Sequence, residues 1–485
     1  MTEINPSNHQ SRTTKIITTL GPSTDSEETI VELIDAGVDV VRMNFSHGDA
    51  EDHLRRAQLV RKISQEKKYH IGILGDLQGP KIRIQRFVNG QIELKTGQRF
   101  ILDANLDANA GNEQQVGVSY AELYKDVKKG DELLLDDGRI TLEIEKSEDY
   151  KISTIVKVGG VLSNNKGINR RGGGLSAQTI TEKDKKDIKL ATQIGVDYLA
   201  VSFPKSPEDM LYAKKLMRQA GNDAALIAKI ERSEALDCIE DIMEVVDGVM
   251  VARGDLSIEI GDAFLTAVQK KLINKARAHN CIVITATEML QSMIDSNVPT
   301  RAEISDIANA VLDGSDALML SAESAIGKHP ALAVKTMSRI CQGVEQGGIE
   351  QHNNEYLLNQ QVVKFDQAIA LSAIYTATHL NVSAIATMTE SGSTSKWLSR
   401  LISTIPIYAL TRHVETCRKV TLYRGVYPVL LKDDKTKDLN LEVINALKPY
   451  HHFDKDAVII ITKGDKKGQL GGTNGMKIIR VNSEN

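Results

Sequence analysis

One lysine and two acids pose the chemical question. The apolar run Ala225-Leu226-Ile227-Ala228 ends in Lys229-Ile230-Glu231, and a second, Gly248-Val249-Met250-Val251-Ala252, ends in Arg253-Gly254-Asp255. Residues two apart on a strand share a face, so Lys229 and Glu231 can address one point. Charges at the ends of buried strands are costly unless something uses them. Two carboxylates suit Mg²⁺, with substrate oxygens completing its shell, and a neighbouring ammonium can neutralise a phosphoryl group in transfer. An internal ion pair is the competing interpretation.

Two further stretches have the same character. In Arg42-Met43-Asn44-Phe45-Ser46-His47-Gly48 the polar residues Arg42, Asn44 and Ser46 alternate. An arginine there can grip a phosphate bidentately, and the Asn and Ser oxygens can ligate a cation; a polar loop start is the alternative. In Gly75-Asp76-Leu77-Gln78-Gly79-Pro80-Lys81-Ile82-Arg83, Asp76 ends another apolar run and Arg83 lies beyond it, where the pattern changes.

Positioning such groups on one face requires a particular scaffold. Apolar runs at 15–20, 38–45, 71–77, 198–203, 225–230, 249–252, 281–286 and 317–320 alternate with amphipathic helical patterns, among them 207–219, 234–245, 263–278 and 300–312. Thr300 and Glu303 fit a capping box at the start of the last. Eight strand-then-helix units with continuously apolar strands predict a parallel (β/α)₈ TIM barrel, with a doubly wound sheet as the alternative. Asn44, Asp76, Ser202, Lys229, Glu231, Asp255, Thr287 and Glu323 all fall at or just past strand C-termini, the face that carries chemistry in such barrels.

From Pro80 to about Leu175 the pattern becomes short alternating runs separated by turn signals such as Asn89-Gly90 and Asp136-Asp137-Gly138. That predicts a small antiparallel β-barrel domain inserted in a barrel loop, placed to act as a lid. After a polar linker at 351–359, strands and helices alternate again, predicting a C-terminal open α/β domain. The expected division is therefore 1–79 with 176–347 for the barrel, 80–175 for the insert and 348–485 for the third unit.

Composition narrows the function classes. Aromatics make up 4% of residues, too few for stacking on bases to be the main business, and the net charge of −4 gives no nucleic-acid or membrane-surface footprint. The polar start MTEINPSNHQSR lacks the apolar core of a signal peptide, and no apolar run approaches the ~20 residues of a membrane span. Cys238, Cys281, Cys341 and Cys417 lie far apart, as expected of reduced thiols in a cytoplasmic protein.

Taken together, the motifs resemble the pyruvate kinase family. The resemblance rests on Thr14-Lys15-Ile16-Ile17-Thr18-Thr19-Leu20-Gly21-Pro22, Asn44-Phe45-Ser46-His47-Gly48, Asp76-Leu77-Gln78-Gly79-Pro80-Lys81-Ile82-Arg83 and Asn165-Lys166-Gly167-Ile168-Asn169. It continues through Ala228-Lys229-Ile230-Glu231, Met250-Val251-Ala252-Arg253-Gly254-Asp255-Leu256, Pro299-Thr300-Arg301-Ala302-Glu303 and the run 306–321, in order over nearly the whole chain. The insert, with Gly159-Gly160-Val161-Leu162-Ser163 and Arg171-Gly172-Gly173-Gly174-Leu175, is most similar to the bacterial second-type enzymes.

The resemblance implies Mg²⁺-dependent phosphoryl transfer from phosphoenolpyruvate to ADP, giving pyruvate and ATP, the final step of glycolysis. It implies that Lys229 stabilises the migrating phosphoryl group and that Glu231 and Asp255 hold Mg²⁺, with Mn²⁺ as a substitute. Arg42, Gly254, Asp255 and Thr287 would receive the substrate, Arg42 and Thr287 also serving catalysis. Arg83, Lys166 and His47 would hold nucleotide phosphates. The monovalent-cation position falls on Asn44, Ser46, Asp76 and the Leu77 carbonyl. Lys81 stands where potassium-requiring members carry Glu, so its ammonium is expected to replace K⁺ and K⁺ is expected not to be required; a plain surface lysine is the alternative. Ser257, Glu288 and Ser324 depart from the family pattern beside the site without removing a catalytic group.

In the third unit, Thr389, Ser391, Gly392, Ser393, Thr394 and Ser395 join a strand to a helix and suit a phosphate. The resemblance implies an allosteric activator there, a sugar monophosphate or AMP, and a homotetramer. An ordinary serine-rich capped turn is the alternative at that loop. Two other functions fit a related barrel, a Mg²⁺-dependent lyase acting on pyruvate enolates and a catalytically silent sensor. The lid with Arg83 and Lys166 speaks against the first, and intact Lys229, Glu231, Asp255 and Thr287 against the second.

Overall fold

The computed structural model describes residues 12–347, 362, 364–432, 438–465 and 471–481. The polar start up to residue 11, the linker at 351–359 and the expected boundary at 347/348 lie outside or at the edge of these residues.

Eight parallel strands close into a barrel: Lys15–Thr19, Val40–Asn44, Gly72–Asp76, Tyr198–Val201, Ala225–Ile230, Gly248–Ala252, Ile282–Ala286 and Ala317–Leu320. Almost every residue in these strands is buried, which explains the unbroken apolar runs. One apolar cluster fills the space between strands and outer helices, including Ile30, Leu33, Val60, Ile242 and Ile307. A second fills the barrel interior with Ile17, Leu74, Tyr198, Ile227, Met250 and Ile284.

The helix Arg301–Leu312 starts as expected. Thr300 Oγ1 accepts from the Glu303 amide at 3.2 Å, and Glu303 Oε2 accepts from the Thr300 amide at 2.7 Å. The helix expected over 234–245 is instead two, Ser233–Asp237 and Ile239–Val245. Cys238 between them leaves helical geometry (φ −119°, ψ 27°), and its thiol reaches the Lys205 carbonyl at 3.2 Å.

The inserted β unit leaves the barrel at Gly79-Pro80. Gly79 has φ +66°, and a Cβ there would lie 2.8 Å from Ser202 Cβ, so only glycine fits this exit. The insert has a six-stranded and a two-stranded sheet, with its own core of Phe100, Leu102, Leu133, Leu142 and Val156. In Lys151–Val158 burial alternates with exposure, the period-2 pattern of a one-sided sheet. All pairs are antiparallel except Arg99–Asp103 with Gln115–Gly117.

The third unit is a five-stranded sheet in the order Val426–Leu430, Ile407–Thr411, Ala384–Met388, Val458–Gly464, Thr473–Arg480, the last strand antiparallel. It seats against the N-terminal end of the barrel. The barrel's interior cluster is continuous with Ala370, Leu398, Leu422 and Tyr423 of this unit, and Lys15 Nζ donates to the Val426 carbonyl at 2.7 Å.

His70 lies near this seam, where the Gly72 backbone abuts Thr421 and the Arg418 carbonyl. Burial, aided by the charge of Arg418, pushes its imidazole down to about 4. The unfolded chain takes up this proton near pH ~6.5, so the contribution is fully present above that value and is lost as pH falls towards about 4. The loss is on the order of 3 kcal/mol. His70→Gln is expected to flatten the acid side of a plot of thermal midpoint against pH; an unchanged slope would contradict this assignment.

Candidate active site

Register brings the charged strand ends together. Asn44 is paired with Asp76, Asp76 with Ala200, Lys229 with Met250, and Ala252 with Ala286. Arg42, Asp76, Lys229, Glu231, Asp255 and Thr287 thus ring the C-terminal mouth of the barrel.

Lys229 is at the centre. Its Nζ lies 2.9 Å from Glu231 Oε1 and 3.3 Å from Asp76 Oδ1, and donates to Ser202 Oγ at 2.7 Å. Burial works against the ammonium, but Asp76 and Glu231 together outweigh it and hold its pKa above the ordinary lysine value. Burial pushes Asp76 up, and Lys229 with Arg42 more than reverses this. Glu231 is held above the usual carboxylate value by burial, reinforced by the nearby charge of Asp255 and only partly offset by Lys229. Its other oxygen accepts from the Phe203 amide at 2.9 Å.

Arg42 commits Nε to Asp76 Oδ2 at 2.6 Å and Nη1 to Thr19 Oγ1 at 3.0 Å. Asp255 stands in the first turn of the helix Arg253–Ile260, and its Oδ1 is 2.9 Å from Lys81 Nζ. The ion-pair partner of Lys81 is thus Asp255. Asp76 is engaged by Arg42 at 2.6 Å and by Lys229 at 3.3 Å. Other groups of the expected monovalent-cation position have hydrogen-bond partners. Asn44 Oδ1 accepts from the Ser46 amide at 3.1 Å, and the Leu77 carbonyl accepts from Ser202 Oγ at 2.7 Å.

Thr287 and Glu288 have φ of +71° and +55°. A β-branched residue in this region is strained and persists only where its surroundings hold it. Here Arg253 does so. Its Nη2 donates to the Thr287 carbonyl at 2.7 Å, and its Nη1 pairs with Asp306 at 2.7 Å. The Gly254 amide donates to Thr287 Oγ1 at 3.1 Å. The departures have local explanations. Ser257 Oγ donates to the Gly254 carbonyl at 2.9 Å, Ser324 Oγ to the Thr19 carbonyl at 2.9 Å, and Glu288 is exposed.

On the side of the inserted unit, Arg83 Nη1 donates to the Asn165 carbonyl at 2.9 Å, and the Arg83 backbone forms an isolated antiparallel bridge with Gly167. Lys166 pairs with Asp136 at 2.6 Å. Partial burial, with Arg83, Arg42 and Lys183, holds the His47 imidazole below its ordinary pKa, so a cluster of positive charge faces this side. Two residues were not assigned roles from sequence: Ser202, which ties Lys229 to Leu77, and Arg253, which supports Thr287. Only the position of Ser202 at a strand end signalled it.

In the third unit, Thr389, Ser391, Ser393 and Thr394 line a cavity of about 460 Å³ together with Arg412, Lys463 and Thr473. Gly392 and Ser395, expected with them, do not line it. Gly392 turns the chain with φ +85°, its amide donating to Thr389 Oγ1 at 2.8 Å, and Ser395 is buried in the first turn of the helix.

Comparison with known proteins bears on the whole arrangement. The sequence matches the family profile "Pyruvate kinase, barrel domain" over residues 11–334 and "Pyruvate kinase, alpha/beta domain" over residues 367–479. It is 51% identical over 477 residues to the pyruvate kinase of Buchnera aphidicola subsp. Acyrthosiphon pisum, covering 97% of this chain and 99% of that protein. It is 50% identical over 478 residues to pyruvate kinase II of Salmonella typhimurium, covering 97% and 99%. To the pyruvate kinase of Thermotoga maritima it is 40% identical over 474 residues, covering 97% and 100%. With the lysine and the carboxylates sharing one barrel mouth, these matches assign the chain to the pyruvate kinase family, transferases whose substrates are phosphoenolpyruvate and ADP.

Proposed function

We propose that Lys229 neutralises the phosphoryl group as it passes from phosphoenolpyruvate to ADP, at a seat where Glu231 and Asp255 hold Mg²⁺. The position of Lys229 Nζ carries this reading: a charged ammonium fixed among Glu231, Asp76 and Ser202 at the barrel mouth. Positioning and charge neutralisation are what phosphoryl transfer needs from a protein. The carboxylate donors are hard oxygens that fit Mg²⁺, or Mn²⁺ in its place, and each is now balanced by a lysine. Mg²⁺ bound there would supply Lewis-acid charge to phosphoryl oxygens.

Arg42, held on two of its nitrogens, has Nη2 to offer a substrate phosphate oxygen. Gly254 and Asp255, in the first turn of their helix, suit the substrate carboxylate. Thr287, linked to Gly254, stands beside that carboxylate and near the carbon to be protonated. Arg83, Lys166 and His47 serve the nucleotide phosphates from the lid side. Lys81, beside Asp255, supplies the fixed positive charge that makes K⁺ dispensable at the position of Asn44, Ser46, Asp76 and Leu77.

The cavity at Thr389–Thr394 supports an effector site for a sugar monophosphate or AMP, with Arg412 and Lys463 as its cations. A homotetramer is our reading from membership of the family. Cytoplasmic action is in keeping with the unpaired cysteines; no helix among the described residues is long and apolar enough to cross a membrane.

The test is pyruvate formation from phosphoenolpyruvate, omitting ADP and Mg²⁺ in turn. Turnover should need both. Pyruvate released equally well without ADP would point to a lyase instead.

A further inference from the structure

One helix of the third unit touches both the cavity and the base of the barrel. It spans Ser393–Arg400. At its start Ser393 and Thr394 line the cavity. At its end Arg400 is buried against Asp316, each side chain 2% exposed. Nη1 of Arg400 meets Asp316 Oδ2 at 2.8 Å, its Nη2 meets Oδ1, and Nη1 also donates to the Cys281 carbonyl. The Arg400 carbonyl in turn accepts from Arg277 Nη2 at 2.9 Å.

The residues it grips immediately precede barrel strands. Cys281 leads into Ile282–Ala286, and Asp316 into Ala317–Leu320. Asp316 also ties these two strands to each other, its Oδ2 accepting from the Val283 amide at 2.8 Å. Midway along the helix, Lys396 Nζ lies 4.0 Å from Asp247 Oδ1. Asp247 precedes Gly248–Ala252, and its Oδ2 accepts from the Leu226 amide, in Ala225–Ile230, at 2.9 Å. The helix therefore contacts residues just before the strands that lead to Asp255, Thr287 and Glu323, and through Asp247 it is linked to the strand that carries Lys229 and leads to Glu231.

We infer that the helix Ser393–Arg400 is the link by which a phosphate monoester in the cavity resets the active site, with Arg400 as a positioning residue latched on Asp316. This rests on the reading of the cavity as an effector site. An anion drawn to the start of the helix moves it as a unit, because eight residues of helix are stiff and both ends are anchored. Planar, two-point pairing of a guanidinium with a carboxylate transmits orientation as well as position. Close-packed contacts of this kind switch between discrete arrangements rather than deform smoothly. Strand ends held through Asp316, Cys281 and Asp247 are then re-aimed at the opposite mouth.

The chain carries its own reporter. Its only tryptophan, Trp397, lies on this helix between Lys396 and Leu398. The test titrates ribose 5-phosphate, glucose 6-phosphate and AMP separately into the full-length wild type and Arg400→Lys. Tryptophan emission reads binding, and half-saturation by phosphoenolpyruvate reads activation. In the wild type an active probe should change the emission and lower half-saturation about fivefold or more. Arg400→Lys keeps the charge but loses the planar fork. It should show the emission change at similar probe concentrations, keep kcat within about twofold, and lose most of the shift in half-saturation. Wild-type-like activation of Arg400→Lys overturns the proposal. If the wild type answers no probe in either signal, the effector reading itself fails. Should Arg400→Lys not fold, as judged by its thermal melt, Lys396→Met tests the weaker contact at 4.0 Å and should lose part of the shift; full activation in that variant would count against the link.

Discussion

Lys229→Met is expected to lose nearly all turnover while still binding the metal. Methionine keeps the length and apolar stem but removes the charge held between Asp76, Glu231 and Ser202. A positive group aimed at a migrating phosphoryl is worth about 10³–10⁵ in rate, or some 4–7 kcal/mol of transition-state stabilisation. Glu231 and Asp255 remain, so Mn²⁺ affinity, followed by water-proton relaxation, should be unchanged or slightly tighter without the competing ammonium. Two results would count against the role given to Lys229: turnover within tenfold of wild type, or loss of metal binding together with activity. The second would make Lys229 a support for the carboxylates only.

The second large effect concerns Lys81. Lys81→Glu replaces an ammonium 2.9 Å from Asp255 with a carboxylate. The site then loses one positive charge and gains one negative, each worth on the order of 4 kcal/mol at a few ångströms near a protein surface. The variant should lose at least about tenfold in kcat/KM without monovalent cations, and KCl should restore most of it. Tetramethylammonium chloride at equal ionic strength should not, since it cannot enter an oxygen-lined seat. A variant that needs no K⁺, or that no K⁺ restores, would remove Lys81 from that role.

The barrel was legible because its strands are buried on both faces, so each reads as an uninterrupted apolar run with its polar residue at one end. The insert was legible for the opposite reason, as in Lys151–Val158, where one sheet face meets solvent and hydrophobicity alternates. What stayed hidden depends on three-dimensional register or dihedral angles. Arg412 and Lys463 meet at one cavity because their strands flank Ala384–Met388 in the sheet, although they are far apart in sequence. The strained backbone of Thr287 is invisible in its residue type, since threonine disfavours the conformation it adopts. That Lys81 meets Asp255 while Arg42 and Lys229 meet Asp76 depends on how the strand ends are brought together in space, which residue order does not display. Glycine positions were informative only where a close approach demanded one, as at Gly79.

The central claim is a phosphoryl-transfer centre whose fixed cations are lysines and an arginine, completed by Mg²⁺ alone. Its most direct test is the steady-state rate of pyruvate formation by the wild-type protein with phosphoenolpyruvate, ADP and Mg²⁺ in a buffer free of Na⁺ and K⁺, compared with the rate after adding KCl. The rates should agree within about twofold. A rate at least about tenfold lower without KCl, and recovered by it, would contradict the claim.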